Sequence, residues 1–321
     1  MLYSISLTQS LIHGLHSLPT FSTEAAGFLY TLFLFMKSDV TTTIVPAVRT
    51  LQSLTQGSLA DNEHSQVALG VSLVGIPTAS AFLEGLLWLA LHLLAFDIIG
   101  LDEDRLSKPH RPIAAGRISL QAAQILHLLF SCSSLLLSAR YGLLPHSAIY
   151  LACAAAYNDG NLARFWASKS AMIGIGLGIC CWGTVVCFNQ GRPLAPVAIH
   201  ALVIVALLLA TTVHAQDFRD VAGDAAIGRT TLPMVLPPSF ARSSLAVLLV
   251  SWSTTLVHFW ELPAGVAGLL YALAGTTALL FIRGGTEKAD QDACWWYNMW
   301  FTACLSLPVF QRLQQDLEHK L

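Results

Sequence analysis

Asp217-Phe218-Arg219-Asp220-Val221-Ala222-Gly223-Asp224 follows directly on an almost wholly apolar run over 194–214, and these two stretches together decide the fold. The apolar run is long enough to cross about 30 Å of hydrocarbon as a helix. The acids after it are spaced i, i+3, i+7, which places them within roughly 60° of one another around a helix axis. Three like charges on one face repel unless a cation sits among them. At the mouth of a membrane-buried segment they read as ligands for Mg²⁺, a hard ion that prefers carboxylate and phosphate oxygens.

The rest of the chain is of the same kind. Of its 321 residues, 55% are hydrophobic and only 11% charged, against roughly 25% charged in a soluble domain. The chain therefore reads as an all-α integral membrane protein, with the lipid bilayer as its medium. Its net charge of −2 gives no reason to expect nucleic acid, and nothing in it predicts a protein partner. The seven cysteines (132, 153, 180, 181, 187, 294, 304) lie in apolar segments without CxxC spacing, so they read as small buried hydrophobes rather than metal ligands or disulfides. The N-terminus lacks the pattern of a secretory signal, so insertion is expected to use the first spanning helix.

Apolar runs of spanning length, or nearly so, lie at about 40–58, 76–98, 118–139, 144–158, 170–188, 194–214, 241–259, 264–283 and 293–311. The expectation is one transmembrane domain over 1–321, with about nine helices around a central cavity. Residues 1–38 form a cytosolic or interfacial lead-in, with a short apolar helix over 27–36. The even-numbered loops carry Arg105, Lys108, Arg111, Arg117, Arg164, Lys169, Arg219, Arg229, Arg242, Arg283 and Lys288, and the odd ones only Arg140 and Arg192. That imbalance of 11 against 2 puts the even loops in the cytosol.

An acidic helix end followed by a basic, proline-stopped loop occurs twice, about 120 residues apart. Asp97 and Asp104 precede Lys108 and Arg111-Pro112, and Asp217 to Asp224 precede Arg229 and Leu232-Pro233. On a helix Asp97 and Asp104 stand only about 20° apart. Taken alone, the first segment could be a solvated loop. Taken together, the two make a pair of acidic clusters at one membrane face, where ionisable groups are costly and usually functional. Mg²⁺ and basic side chains can neutralise a departing diphosphate, while a dry pocket holds the allylic cation left behind.

The two segments resemble the Asp-rich motifs of the UbiA superfamily of intramembrane prenyltransferases. The second, of the form DxxDxxxD, is intact in Asp217, Asp220 and Asp224, and is followed by Gly228-Arg229-Thr230-Thr231-Leu232-Pro233. The first departs from NDxxDxxxD: Phe96 stands at the Asn position and Gly100 at the middle Asp. The loop Glu103-Asp104-Arg105-Leu106-Ser107-Lys108-Pro109-His110-Arg111-Pro112 and the segment Tyr157-Asn158-Asp159 are similar to a fungal branch that includes membrane-bound terpene cyclases. The resemblance implies Asp97, Asp104, Asp217, Asp220 and Asp224 as Mg²⁺ ligands and catalytic residues. It implies Lys108, Arg111 and Arg229 at the diphosphate. Endoplasmic reticulum would suit a eukaryotic host.

The expected reaction is ionisation of an isoprenyl diphosphate, farnesyl or geranylgeranyl, followed by cyclisation. The alternative is transfer of the isoprenyl group to an aromatic or other small acceptor, and a more remote one is a non-catalytic transporter. A cyclase needs π-faces around the cation. Tyr150, Tyr157, Trp166, Trp182, Trp252, Trp260, Trp295, Trp296, Tyr297 and Trp300 are candidates, although Trp166 and Trp260 read as interfacial belt residues. Bulky Phe96 in place of a polar ligand favours the cyclase. By position Asn158 and Arg164 are further diphosphate contacts, and Asn298, with Phe96 and Tyr157, lines the cavity. Glu84 reads as an ion-pair partner of Arg49 or a proton acceptor. His92, His127, His200 and His258 lack zinc-site spacing and read as structural. His214, one turn before Asp217, is open between a supporting and a structural role.

Overall fold

The computed structural model describes residues 24–35, 73–75, 77–97 and 111–318. Its helices are α1 (Glu24–Phe35), α2 (Ala79–Asp97), α3 (Leu120–Arg140), α4 (Leu144–Asn158), α5 (Trp166–Phe188), α6 (Pro196–Thr212), α7 (Asp217–Ala226), α8 (Leu232–Val235), α9 (Pro238–Phe259), α10 (Ala264–Arg283) and α11 (Glu287–Glu318). Proline opens α6 and α9, and Pro145 lies in the first turn of α4, where no intrahelical N–H is lost. Ser119 caps α3 through a bond from the Ala122 amide at 3.2 Å.

Six helices, α2, α3, α5, α6, α9 and α10, are long and apolar enough to cross a bilayer. Nine are not reached among the described residues. The expected span over 40–58 lies outside them. The run over 144–158 folds as the 15-residue α4, whose rise is only about 22 Å. The run over 293–311 belongs to a longer helix, α11, which starts at Glu287 and has Pro308 inside it. Hydropathy cannot find such an end, because backbone hydrogen bonding continues through the largely polar stretch 287–292, which holds Glu287, Lys288, Asp290 and Asp292.

α2 packs on α3, α4 and α5, α5 on α6, α6 on α9, α9 on α10, and α10 on α11. One core is built by Leu245, Leu249, Ala274, Phe281, Tyr297 and Trp300, and another by Trp88, Leu89, Tyr150, Cys187 and Phe188. Trp260, expected at the interface, is 4% exposed and packs in the first of these cores against Phe259. α1 buries Phe35 with Leu94 and Ala123 and leaves Phe28, Leu29, Tyr30 and Phe33 exposed. Of the seven free cysteines, 180, 181, 187, 294 and 304 are buried, as expected of small hydrophobes, whereas Cys132 is exposed.

The histidine of α2 is structural. His92 Nδ1 bonds the Trp88 carbonyl at 2.7 Å and Nε2 bonds Ser147 Oγ at 2.8 Å. Ser147 continues to Ser138 at 2.6 Å, which accepts the Trp88 indole N–H at 2.8 Å. A closed polar chain thus ties α2, α3 and α4 together within hydrocarbon. Glu84 pairs with Arg140 at 3.2 Å and accepts the Tyr141 hydroxyl, so its observed partners differ from the expected Arg49, which lies outside the described residues.

α5 meets α6 unusually closely. A Cβ at Gly174 would stand 2.5 Å from Ala210 Cβ, and one at Gly178 would stand 2.7 Å from Ala206 Cβ. Small residues one turn apart let two membrane helices approach backbone to backbone. Gly174→Val is therefore expected to push the helices apart at a cost of about 1–3 kcal/mol, read as a lower thermal midpoint of the detergent-solubilised protein. An unchanged midpoint would mean that this contact is not tight.

Candidate active site

The α5–α6 contact places the start of α5 beside the end of α6, where a short turn, Val213–Ala215, leads into α7. Lys169, in the first turn of α5, reaches across: its Nζ lies 2.7 Å from Asp217 Oδ1 and 3.2 Å from Asp224 Oδ2. Arg229 approaches the other oxygen of Asp224 at 3.5 Å. The turn that returns Arg229 needs φ = +71° at Gly228, a backbone region open to glycine, and it is closed by the Arg229 amide on the Asp224 carbonyl at 2.9 Å. Asp217 and Asp224 are each 4% exposed.

The three acids of α7 do not converge. Asp220 is exposed and chelated by its neighbour Arg219, at 3.0 Å from Nε and 3.2 Å from Nη2. Among the described residues there is no group of three or more His, Cys, Asp or Glu side chains placed to hold one metal ion. The 60° offset of the middle acid suffices to turn it from the protein interior to its surface. Burial pushes the Asp217 carboxyl above the usual aspartate range; Lys169 opposes this, and the charges of Asp224 and Asp220 add to it.

The end of α2 joins this cluster through aromatic rings. Phe96 packs 5.5 Å from Tyr157 at the end of α4, and Arg229 Cζ lies 5.9 Å from the Tyr157 ring. Thr230 donates its amide to the Arg164 carbonyl at 2.8 Å, which ties the loop after α7 to the loop before α5. On the far side, Arg242 of α9 holds Asp290 of α11 with two bonds, at 2.6 and 2.8 Å, and donates to the Phe281 carbonyl at 2.8 Å. Its guanidinium also lies 4.8 Å from the Phe218 ring, so α7 rests on this ion pair. The described ends of α2, α4, α6 and α10 thus gather at one end of the helices.

Asp97 ends α2, but its side chain, together with Asp104 and Lys108, lies outside what the structure describes. Arg111 is buried. Asn158 ends α4 with its Nδ2 buried and without a hydrogen-bond partner. Arg164 contributes its carbonyl to the contact just described, and its side chain is exposed. Asn298 is half-buried on α11, next to Tyr297, which bonds Thr212 at 2.9 Å. His214 is buried with Nε2 unpartnered, near Phe218. A cavity of about 410 Å³ lies at the opposite helix ends, between Glu84, Arg140, Tyr141 and Gln190, not beside the α7 acids.

Lys169 was legible only as one more loop cation. Yet it sits at the positive end of the α5 dipole, and Asp224 sits near the negative end of α7, so neither charge serves its own helix. Each is placed for the other.

The chain is 33% identical over 296 residues to fumagillin beta-trans-bergamotene synthase of Aspergillus fumigatus, covering 91% of this chain and 96% of that one. It is 27% identical over 293 residues to somaliensene A/B synthase of Streptomyces somaliensis, covering 88% and 93%. A UbiA homologue from Archaeoglobus fulgidus, solved bound to GPP and Mg²⁺, shares the fold with a TM-score of 0.54 at 13% identity, over 86% of this chain and 99% of that one. The UbiA prenyltransferase family model matches residues 68–302, from just before α2 to the middle of α11. With that match over most of its length, the chain belongs to the UbiA prenyltransferase family.

Proposed function

We propose that this protein is a membrane-bound terpene cyclase that ionises a linear isoprenyl diphosphate, farnesyl or geranylgeranyl, and closes the resulting cation on its own double bonds. The observation that carries this reading is the buried Lys169–Asp217–Asp224–Arg229 cluster, in a family member whose similar relatives are named as terpene synthases. Two carboxylates converging on one cation are a donor set that suits Mg²⁺. Asp217 and Asp224 would hold it, with Asp97 and Asp104 as further ligands, while exposed Asp220 stays with Arg219. When bound, Mg²⁺ neutralises phosphate oxygens and eases departure of the leaving group.

Lys169 and Arg229 supply donors for the diphosphate, and Arg111 and Lys108 extend that set from the loop after α2. Asn158 has a buried amide N–H to offer. Tyr157 stands next to Arg229, with Phe96 packed against it, and the two rings are placed to face the allylic end, where a developing positive charge is steadied. Helices crowded around the site keep water from quenching the cation. The site faces the cytosol, on the strength of the basic residues gathered at this end.

The test is incubation of membranes holding the protein with Mg²⁺ and farnesyl or geranylgeranyl diphosphate, without an acceptor. Cyclic hydrocarbon in the extract is the expected result. Prenyl alcohol alone, with prenylated product appearing once an aromatic acceptor is added, would replace this reading with that of a transferase.

A further inference from the structure

All three acids of α7 already face cations of the chain. Lys169 Nζ bridges Asp217 Oδ1 and Asp224 Oδ2 at 2.7 and 3.2 Å, Arg229 stands 3.5 Å from Asp224 Oδ1, and Arg219 chelates Asp220. Three carboxylates against three cations leave this segment neutral without any metal. The oxygens of the buried pair that face each other are committed to an ammonium. A divalent ion approaching the buried pair alone therefore meets a like charge in its path, in a medium where such repulsion is weakly screened. A diphosphate changes the balance, because it is strongly anionic and offers the ammonium several oxygens. Lys169 can follow it, since its four-carbon stem is flexible and its charge is a compact point.

We propose that Lys169 is the resident counter-ion of the α7 acid pair, and that Asp217 and Asp224 accept a divalent cation only once a diphosphate has drawn the ammonium away. The inference rests on the ionisation chemistry proposed above and adds an order to it. Metal loading follows substrate, so the empty enzyme does not hold a charged ion next to the hydrocarbon. Lys169 acts here as a positioning residue for the acids as well as a donor to the phosphate.

The test uses the full chain in nanodiscs with Mn²⁺ as the probe, and reads free Mn²⁺ by electron paramagnetic resonance in the absence of any diphosphate. Wild type is expected to bind weakly and Lys169→Met at least tenfold more tightly, while Lys169→Arg, which keeps the charge, stays as weak as wild type. Methylene diphosphonate without metal should show the opposite order, binding Lys169→Met at least tenfold more weakly than wild type. Mn²⁺ binding by Lys169→Met no tighter than by wild type overturns the proposal. So does tight binding by wild type alone, a measurement that needs no variant to fold. The product assay is independent: absence of cyclic hydrocarbon with the two opposite shifts intact would remove the cyclase reading and leave the counter-ion role standing.

Discussion

Asp217→Asn is expected to reduce turnover of an isoprenyl diphosphate by on the order of 100-fold or more, leaving at most a few per cent. Charge stabilisation at a departing diphosphate is a matter of several kcal/mol, and each 1.4 kcal/mol is about tenfold in rate. The substitution keeps the volume of the side chain and leaves an amide oxygen that Lys169 can still approach, so the fold should survive. What it removes is the negative charge on the oxygen nearest the ammonium, 2.7 Å away. The check is single-turnover kinetics at saturating Mg²⁺, together with a thermal midpoint close to that of wild type. A variant that folds and retains more than a few per cent of turnover would place the chemistry elsewhere. Asp220→Asn makes the internal comparison. Its carboxylate is exposed and chelated by Arg219, so a smaller loss is expected.

The second large effect is on stability. Asp290 is buried and takes both arms of Arg242, and Arg242 in turn supports Phe218 beneath the acid pair. Asp290→Ala leaves a mostly buried guanidinium without its carboxylate, which in soluble proteins costs about 3–5 kcal/mol. The expected result is a thermal midpoint lowered by several degrees or more in detergent, with turnover falling as α7 loses its seat. Removing both partners, as Arg242→Met with Asp290→Leu, should recover much of the lost stability, because no orphaned charge remains. If the single and double variants were equally unstable, the cost would lie in lost packing rather than in the unpaired ion.

Much of the architecture was legible because hydrocarbon imposes simple rules. The apolar runs over 118–139, 194–214 and 264–283 are helices within a few residues of where composition put them. Of the basic loop residues, Lys169, Arg229 and Arg242 lie at one end of the helices, and the acid-bearing segment after 194–214 is a helix. The pairing was not legible. Lys169 and Asp217 are 48 residues apart, and nothing in either neighbourhood marks the other; only the glycine contact between α5 and α6 brings them together. Asp220 misled for a different reason. A helical wheel places it within 60° of its neighbours, but a 4% exposed acid and a surface acid can be separated by no more than that. Trp260 looked like a belt residue because it ends a helix, yet it is 4% exposed and packs in the core of α9, α10 and α11. Charged residues at the start of α11 hid a helix that continues through them.

The loop formed by Trp88, His92, Ser138 and Ser147 bears on how the polypeptide assembles in lipid. Bare apolar rods can slide along one another in a bilayer at little cost, since every vertical offset buries similar surface. Here an offset of one helical turn would break the closed circuit and strand an indole N–H, an imidazole and two hydroxyls among acyl chains. The α2–α3–α4 group thus has a single depth at which it interlocks, like a key cut for one position, and that depth sets the height of Phe96 against Tyr157 at the membrane surface.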